Sequence, residues 1–600
     1  MVSRRNFFSI CVMMVTILIL FQFSILVRDL VNNYDENVHM AETGQTSADA
    51  WSEAMADDTT ETVIYVGSED DAAFGIIRQW CGYTKRIFTR IDSLDDYVQK
   101  KSGRPVLMCL TGATVTDDAG IGRLADIVNE GQNVLFCDMP NMDLIARQSD
   151  LRDLMGIREV VQEQAELTGI RLFPGFLLGG DALYVMADEE AEPGSEIELT
   201  APWYLRMSGT KSYMAGTMED EEIENEDLPS LIWRNSYGRG RVFVMNCPYM
   251  SDEIGIGILS AFMYELHNYD LYPVVNAQNL SVVNFPVFAP ENTEKLMGIY
   301  ARNLLRFESD VMWPGLISSV NAGDYKMTGF MTPRLDYAAG GDLSYNQLIF
   351  YLKQFREQSA EAGLSMDHLP GISLQDKLAA DQEFYDSANN SYSFGTAYVG
   401  SEERDDFLAF PQQGILKNIR TITGLWNDAD LLSYCTDTIV AQGVTADGFS
   451  HPYLQDLRVR AIETSLGYSN ILLDMKRISW PEDDDLYWEV LSDRYSSNIN
   501  THWSKFAAFD KTTMLESDER VRAFFSLDFR NARRGDTVSV EIKNGGSEHW
   551  FILRTHGETI SDIEGGDYIE LEEDVFLIHT FEKDPQIELK ARDNKPFYLP

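Results

Sequence analysis

The chain is poor in cysteine, histidine and basic residues. Its six cysteines are spread over 600 residues with no CxxC pair, so the sequence predicts neither a dense disulfide framework nor a paired-cysteine metal site. Lysine and arginine total 49 against 95 acidic residues, and the formal net charge is −46. Because phosphate recognition requires a basic surface, this composition argues against nucleic-acid binding. One interpretation is that such acidity is simply typical of exported bacterial proteins. The alternative is that it favours the binding of a cationic partner.

One long apolar run lies near the N-terminus. Residues 7–27 carry no charge and form a stretch of about 21 residues, which reaches the ~20 that a bilayer-spanning helix needs. Arg4 and Arg5 precede it. The sequence therefore predicts a single-pass membrane anchor (1–30), with the N-terminus in the cytoplasm and the bulk of the chain outside the cell. A cleaved signal peptide is the alternative, but its apolar region would be shorter, about 7–15 residues, and a small-residue cleavage site would follow.

The polar residues 31–60 predict a flexible stalk. From residue 61, short apolar strands alternate with helix-like segments. The predicted strands are 62–66, 105–110 and 133–137, and the predicted helix is 121–130. This alternation favours a parallel sheet covered on both faces, so segment 61–275 resembles Rossmann-like or glutamine-amidotransferase-like α/β domains. It has no GxGxxG motif and no cysteine at a strand-to-helix elbow, so neither a dinucleotide site nor an active amidotransferase is predicted.

A connector with little periodicity (276–325) precedes a third domain, 326–515. This domain has a predicted strand at 326–331 and a helix that Ser344 caps. A second helix is predicted over 431–443, and a short strand follows it. Strands and helices in this order, with polar residues at the strand ends, predict a β/α barrel whose site lies at the C-terminal ends of its strands.

The last segment, 520–600, has a different pattern. Val538, Val540 and Ile542 alternate with polar residues, and glycine turns separate the strand-like runs. A period of two without helices predicts an antiparallel β-sandwich.

The candidate chemistry lies just after the strand that follows 431–443, in Asp447-Gly-Phe-Ser-His451-Pro. A carboxylate and an imidazole four positions apart can hold one divalent metal, and such a metal can activate water. His451 is one of only eight histidines in the chain. Asp336 stands at a predicted strand end upstream, and Trp503 follows downstream.

This stretch resembles the second metal motif of the polysaccharide deacetylase superfamily, in which His-x-x-x-His-Pro supplies two ligands. Asp447 occupies the first ligand position here. With its anchor, α/β domain and β-module, the whole chain resembles an uncharacterised family of membrane-anchored bacterial surface proteins associated with Pel-type exopolysaccharide loci. The fold class that this resemblance implies is α/β multidomain: a transmembrane helix, a Rossmann-like or amidotransferase-like domain, a deacetylase-like β/α barrel and a β-sandwich.

The resemblance implies a metal-dependent deacetylase of an N-acetylated, Pel-like extracellular polysaccharide. Zinc or a similar divalent metal would be held by Asp447, His451 and Asp336, a set whose ligand types suit such ions. Exopolysaccharide synthesis proteins are the further partners that the resemblance implies.

The superfamily's first motif carries two acids, whereas Asp336 is the single acid at this strand end. Asp336 is therefore predicted as ligand or base, and Asp342 or His368 as the alternative base. Arg334 is predicted to keep Asp336 ionised through a charge pair. Trp503 is predicted either as a wall for the acetyl methyl group or as a core residue.

Two other functions remain open at this point. The incomplete first motif favours a catalytically degenerate scaffold that binds the polymer or assembles a synthesis and export system. Glycoside hydrolysis by paired carboxylates is the third possibility, but acids are too frequent in this sequence to select a pair.

Overall fold

A computed structural model describes Met14 and residues 61–98, 105–185, 199–218, 223, 226–339, 341–387, 393–426, 430–482, 487–544 and 548–592. The helices are α1 (Ala72–Tyr83), α2 (Asp118–Asn129), α3 (Met142–Arg147), α4 (Ser149–Met155), α5 (Ile254–Leu266), α6 (Thr293–Tyr300), α7 (Leu304–Phe307), α8 (Trp313–Ala322), α9 (Tyr345–Glu357), α10 (Leu374–Ser387), α11 (Arg404–Ala409), α12 (Tyr453–Leu466), α13 (Lys476–Ser479), α14 (Trp488–Thr501) and α15 (Met514–Ser526).

The strands of the first half of the chain are β1 (Thr62–Val66), β2 (Ile87–Ile91), β3 (Leu107–Leu110), β4 (Val134–Phe136), β5 (Ile157–Leu167), β6 (Gly169–Leu172), β7 (Ala182–Val185), β8 (Leu199–Arg206), β9 (Lys211–Thr217), β10 (Ser230–Tyr237), β11 (Gly240–Met245), β12 (Tyr269–Val274) and β13 (Ala277–Val287). Those of the second half are β14 (Met327–Thr332), β15 (Glu361–Ser365), β16 (Thr396–Tyr398), β17 (Thr421–Gly424), β18 (Leu432–Tyr434), β19 (Val440–Gly443), β20 (Ala446–Asp447), β21 (Tyr468–Asp474), β22 (Lys511–Thr512), β23 (Asp528–Arg534), β24 (Thr537–Asn544), β25 (His549–Thr555), β26 (Glu558–Glu564), β27 (Gly566–Glu572), β28 (Val575–Thr580) and β29 (Gln586–Ala591).

The chain divides into two compact units. The first includes the described residues up to Ser68, Phe88–Phe176 and Gly180–Pro248. Its nine-stranded sheet has the order β2-β1-β3-β4-β11-β10-β9-β6-β7, and β5 pairs separately with β8. The ladders β1–β3, β3–β4 and β4–β11 are parallel, and those from β11 to β7 are antiparallel. Strands such as β3 and β4 are buried over their whole length, as expected for strands covered on both faces.

The second unit comprises Glu69–Ile87, Leu177–Gly179 and the chain from Tyr249 onward. Its main sheet has the strand order β18-β19-β17-β16-β15-β14-β13-β21-β20, and β22 also pairs with β13. All of its ladders are parallel except β18–β19. The sheet curls, since β19 ends at Gly443 and β20, at the other end of the strand order, begins at Ala446. We call it the half-barrel sheet.

The predicted fold class is wrong. In place of a closed barrel, the unit has a curled half-barrel sheet, because β20 is only two residues long and pairs with β21 alone among the described strands. The fold class also included a transmembrane helix. Within the described part of the chain, no helix is long and apolar enough to cross a bilayer. The predicted span 7–27 and stalk 31–60 lie outside the described residues, Met14 excepted.

Two four-stranded antiparallel sheets, β12-β25-β28-β27 and β23-β24-β29-β26, complete the second unit. They share an apolar core that includes Leu271, Val538, Phe551 and Ile587. One of their strands, β12, precedes the half-barrel in the chain and pairs with β25 over six residue pairs.

Candidate active site

Polar side chains gather where β13, β15 and β21 approach their C-terminal ends. Asn284 lies in β13 with φ of 58°, a left-handed conformation that asparagine tolerates better than most residues. The β13–β14 register shifts between Val283 and Val287, next to this residue. Backbone conformations of this kind cost free energy and cluster at functional sites. Asn284 is completely buried, so the fold holds its amide in a fixed place.

Asn284 joins two carboxylates. Its Nδ2 donates to Asp367 Oδ2 at 2.9 Å and to Asp474 Oδ1 at 2.8 Å. Its Oδ1 accepts a hydrogen bond from Ser365 Oγ at 2.7 Å. Asp474 is the last residue of β21, and Asp367 follows β15 by two positions. Three strands of one parallel sheet therefore bring together two acids, which we call the carboxylate pair.

A cation lies beside one member of the carboxylate pair. Lys476 Nζ stands 3.2 Å from Asp367 Oδ1, and the side chains of Lys476 and Asp367 are 31% and 22% exposed. The backbone N–H of Lys476 donates to Asp474 Oδ1 at 2.9 Å. Solvent thus reaches Asp367 and the ammonium group, while Asp474 accepts two hydrogen bonds on one oxygen.

The two acids have different surroundings. Burial raises the pKa of Asp474, and the nearby charge of Asp367 raises it further, although hydrogen bonds from Lys476 and Asn284 and the charge of Lys476 oppose the shift. Burial also raises the pKa of Tyr398 above its usual range, and Asp474, Asp367 and Glu403 contribute to that shift. Paired carboxyls of which one holds its proton more firmly are the arrangement that acid–base catalysis uses.

The strand that precedes Asp367, β15, is fixed at its N-terminal end by Glu361. This buried carboxylate accepts hydrogen bonds from Thr396 Oγ1 at 2.7 Å, the Leu515 backbone N–H at 2.9 Å and Thr328 Oγ1 at 3.2 Å. Burial raises the pKa of Glu361 to about 7. Glu361 therefore connects β14, β15, β16 and the start of α15.

Asp336 lies in a loop after β14 and is half-buried. Its Oδ1 accepts the backbone N–H groups of Ala338 and Ala339 at 2.9 and 3.0 Å, and its own N–H donates to the buried Glu291 at 3.0 Å. The predicted partner Arg334 donates instead to the carbonyls of Ala339 and Gly341. Asp336 thus shapes its own turn.

Among the other predicted residues of this domain, His368 contacts the carboxylate pair through its backbone, since its N–H donates to Asp367 Oδ1 at 2.9 Å. Asp342 is exposed. His368 has its two ring nitrogens 3.1 and 3.2 Å from the carbonyl oxygens of Met366 and Ile372. Trp503 is 2% exposed and belongs to the main hydrophobic core, which favours the core interpretation of this residue.

The side chains of Asp447 and His451 contact different residues. Asp447 Oδ1 accepts the Phe449 N–H at 2.9 Å, and Oδ2 lies 3.3 Å from Arg477 Nη1. His451 Nε2 lies 2.8 Å from Oδ1 of Asp456, in the first turn of α12. The structure therefore does not bring Asp336, Asp447 and His451 together as one ligand set among the described residues.

His451 instead joins a different cluster. Within the described ranges, His451, Asp456 and His502 are the group of three metal-binding side chains whose ligand atoms all lie within 4.8 Å of one another. The imidazoles of His451 and His502 stack with ring centroids 3.6 Å apart. We call this group the imidazole–carboxylate trio. It is carried by the loop after β20, by α12 and by the C-terminal end of α14.

Sequence reasoning missed Asn284, Asp367, Asp474 and Lys476. One signal for Asp474 was present, because Ile471-Leu-Leu473 is an apolar run that ends directly at this acid. The short segment Glu361–Ser365 gave no such signal for Asp367, since it contains no β-branched or aromatic residue.

No family model and no curated protein matches the chain. Among solved structures, the chain is similar to Agd3, a carbohydrate deacetylase, with 10% identity and a TM-score of 0.52 over 89% of this chain and 99% of that one. An exo-β-1,4-mannosidase from Opitutaceae bacterium strain TAV5 has 14% identity and a TM-score of 0.23 over 36% of this chain and 35% of its own. A ThuA-like protein from Bacteroides uniformis ATCC 8492 has 8% identity and a TM-score of 0.23 over 35% and 91%.

The last two similarities are too low to support a conclusion. The first extends over nearly all of both chains, but at this identity it concerns the fold alone. The fold of this protein is therefore similar to that of a carbohydrate deacetylase.

Proposed function

We propose that this protein is a hydrolase that removes acetyl groups from an N-acetylated amino-sugar polymer, with its reaction centre at the carboxylate pair. The observation that carries the proposal is the pairing of Asp367 and Asp474 through one amide at the C-terminal edge of a parallel sheet, where α/β enzymes place their sites. The deacetylase-like fold supports the choice of substrate class. A Pel-like polymer and a role beside exopolysaccharide synthesis proteins are the finer form of this proposal.

The two acids divide the proton transfers between them. Asp367, beside the Lys476 ammonium group, acts as the general base and takes a proton from the attacking water. Water oxygen then bonds to the acetyl carbonyl carbon, and Lys476 stabilises the negative charge that develops on the carbonyl oxygen. Asp474, whose pKa is raised by burial and by Asp367, gives its proton to the departing amine nitrogen as the C–N bond breaks. The products are acetate and a free amino sugar.

A metal does not fit the carboxylate pair. Both acids accept hydrogen bonds from the Asn284 amide, and Asp367 also faces the Lys476 ammonium group. Of the histidines in the described residues, none forms a metal-binding group of three with these carboxylates. His368, the histidine next to Asp367 in the chain, has both ring nitrogens at backbone carbonyls. The proposed reaction therefore uses the two carboxylates and Lys476 alone.

One observation favours a second candidate function, glycoside hydrolysis. Retaining glycosidases use two carboxyl groups about 5–5.5 Å apart, one of them with a raised pKa. Asp367 and Asp474 each lie within hydrogen-bond distance of one nitrogen, and the pKa of Asp474 is raised.

Acetate and new reducing ends, measured together, separate the two functions. Purified protein is incubated with N-acetylglucosamine and N-acetylgalactosamine oligomers. The proposal predicts acetate without new reducing ends, and a loss of about 10²–10⁴-fold in Asp367→Asn, the range that general acid–base groups contribute.

Asp405→Asn is the matched control, because this exposed carboxylate lies on α11 with a side chain 94% exposed, and it should keep full activity. New reducing ends that depend on Asp367 would establish the glycosidase instead. The proposal would be overturned if neither acetate nor new reducing ends formed. It would also be overturned if Asp367→Asn released as much acetate as the wild type.

A further inference from the structure

The imidazole–carboxylate trio has a geometry that the proposed reaction does not use. Asp456 Oδ1 lies 2.8 Å from His451 Nε2 and 3.8 Å from His502 Nδ1. Ligands of a tetrahedral zinc ion at about 2.0–2.2 Å stand about 3.3–3.6 Å from one another. The two distances lie on either side of that range, so the three side chains stand close to the spacing that a tetrahedral site needs.

The trio is largely shielded from water. The side chains of His451 and Asp456 are 5% and 6% exposed, and that of His502 is 31% exposed. Nδ1 of His451 is buried without a hydrogen-bond partner. Nε2, the other ring nitrogen, is the one that faces Asp456.

The second oxygen of Asp456 is already held. Arg460, one turn further along α12, donates from Nε to Asp456 Oδ2 at 2.6 Å and is itself completely buried. A charge-assisted bond of this kind fixes the orientation of the carboxylate, as the outer partners of metal ligands do. Oδ1 is thereby left facing the two imidazoles.

His502 is suited to be the movable ligand. It directly follows the last residue of α14, and its side chain is the most exposed of the three. In stacked imidazoles the nitrogen lone pairs lie in two nearly parallel planes. One ring therefore has to rotate before both imidazoles can direct a lone pair at one ion. The exposed fraction of His502 gives that ring the room.

We propose that His451, Asp456 and His502 form a binding site for a divalent transition metal of the zinc class. Two imidazoles and one carboxylate are a common ligand set for such ions. The three ligands come from the loop after β20, from α12 and from the end of α14, so a bound ion joins these elements. The site is structural in position, since it lies beside helices and not in the hydrogen bonds of the carboxylate pair, and it does not rest on the proposed function.

Zinc binding by the full chain tests the site directly. Protein is freed of metal with a chelator and titrated with zinc against a chromophoric competitor, and thermal unfolding is followed with and without zinc. Cobalt serves as a second probe, because its visible absorption reports the ligand geometry. We expect one zinc per chain, a zinc-dependent rise in melting temperature and cobalt bands from a four- or five-coordinate site.

His502→Ala is the test variant, since His451 is too buried to replace without risk to folding. It should bind zinc at least tenfold more weakly and lose the zinc-dependent rise in melting temperature, while its circular dichroism and metal-free unfolding stay close to those of the wild type. His579→Ala, which removes a histidine of the C-terminal sheets beside Glu548, should bind zinc like the wild type. Absence of stoichiometric zinc in the wild type, or unchanged affinity in His502→Ala, would overturn the inference. Acetate release is not needed for either outcome.

Discussion

Asp367 and Asp474, 107 positions apart in the chain, accept hydrogen bonds from the same nitrogen of Asn284, at 2.9 and 2.8 Å. Two carboxylates this close repel each other when both are ionised, so the proton of one is retained more firmly. Parallel strands make the arrangement possible, because their C-terminal ends meet at one edge of the sheet. The pair is the feature on which the proposed chemistry depends.

The amide of Asn284 should contribute measurably to stability. We expect Asn284→Ala to lower the free energy of unfolding by at least about 1.5–3 kcal/mol, the value of a hydrogen bond to a charged group. Urea unfolding measures the change. Asn284→Gly is the matched control, because glycine also lacks the amide but adopts the φ of 58° without strain. The free energy of unfolding of the glycine variant should therefore be about 1 kcal/mol higher than that of the alanine variant. Wild-type stability in both variants would show that the amide does not hold the carboxylates.

Glu361 should make stability depend on pH around neutrality. Its pKa is raised from 4.5 to about 7 by burial, so the folded state binds this proton more tightly than the unfolded state does. The stabilisation is complete below about pH 4.5 and is lost as the pH rises through 7. As the pH rises from about 4.5 to above 7, the free energy of unfolding of the wild type should fall by on the order of 3 kcal/mol relative to that of Glu361→Gln. Guanidinium unfolding of both proteins across this range measures it. Parallel profiles would contradict the prediction.

Helices α5 and α12 approach each other at a glycine. A β-carbon at Gly257 would stand 2.6 Å from the carbonyl carbon of Ala461, well inside contact distance. Gly257→Ala should therefore destabilise the protein by about 1–3 kcal/mol. Gly298→Ala, in α6 with nothing within 4 Å of the added carbon, should instead be stabilising by about 0.5–1 kcal/mol. Thermal unfolding compares the two, and equal effects would argue against close packing of α5 and α12.

Regular apolar patterns in the sequence predicted several elements correctly. The strands predicted at 62–66 and 133–137 correspond to β1 and β4, and the helix after the Ser344 cap corresponds to α9, where Ser344 Oγ accepts the Gln347 N–H. The helix predicted over 431–443 is wrong, because the segment forms β18 and β19. Its apolar spacing suited a helix, but pairing with β17 in the sheet determined the structure.

The site itself was beyond sequence reasoning for a physical reason. Central strand β13 lies in the segment predicted as a connector, and it is buried over all eleven residues although it contains Gln278, Asn279, Ser281 and Asn284. Hydrogen bonds from distant residues satisfy these side chains: Gln278 donates to Glu463, and Ser281 to Asn470. A strand whose polar groups are paired by tertiary contacts leaves no apolar pattern to recognise.

The pH dependence of acetate release tests the central claim most directly. With Asp367 as base and Asp474 as acid, the wild-type rate should follow a bell-shaped curve. Asp367→Asn should remove the acid limb together with most of the rate, and Asp474→Asn should remove the alkaline limb. A wild-type bell whose two limbs both persist in the two variants would place the chemistry elsewhere in the molecule.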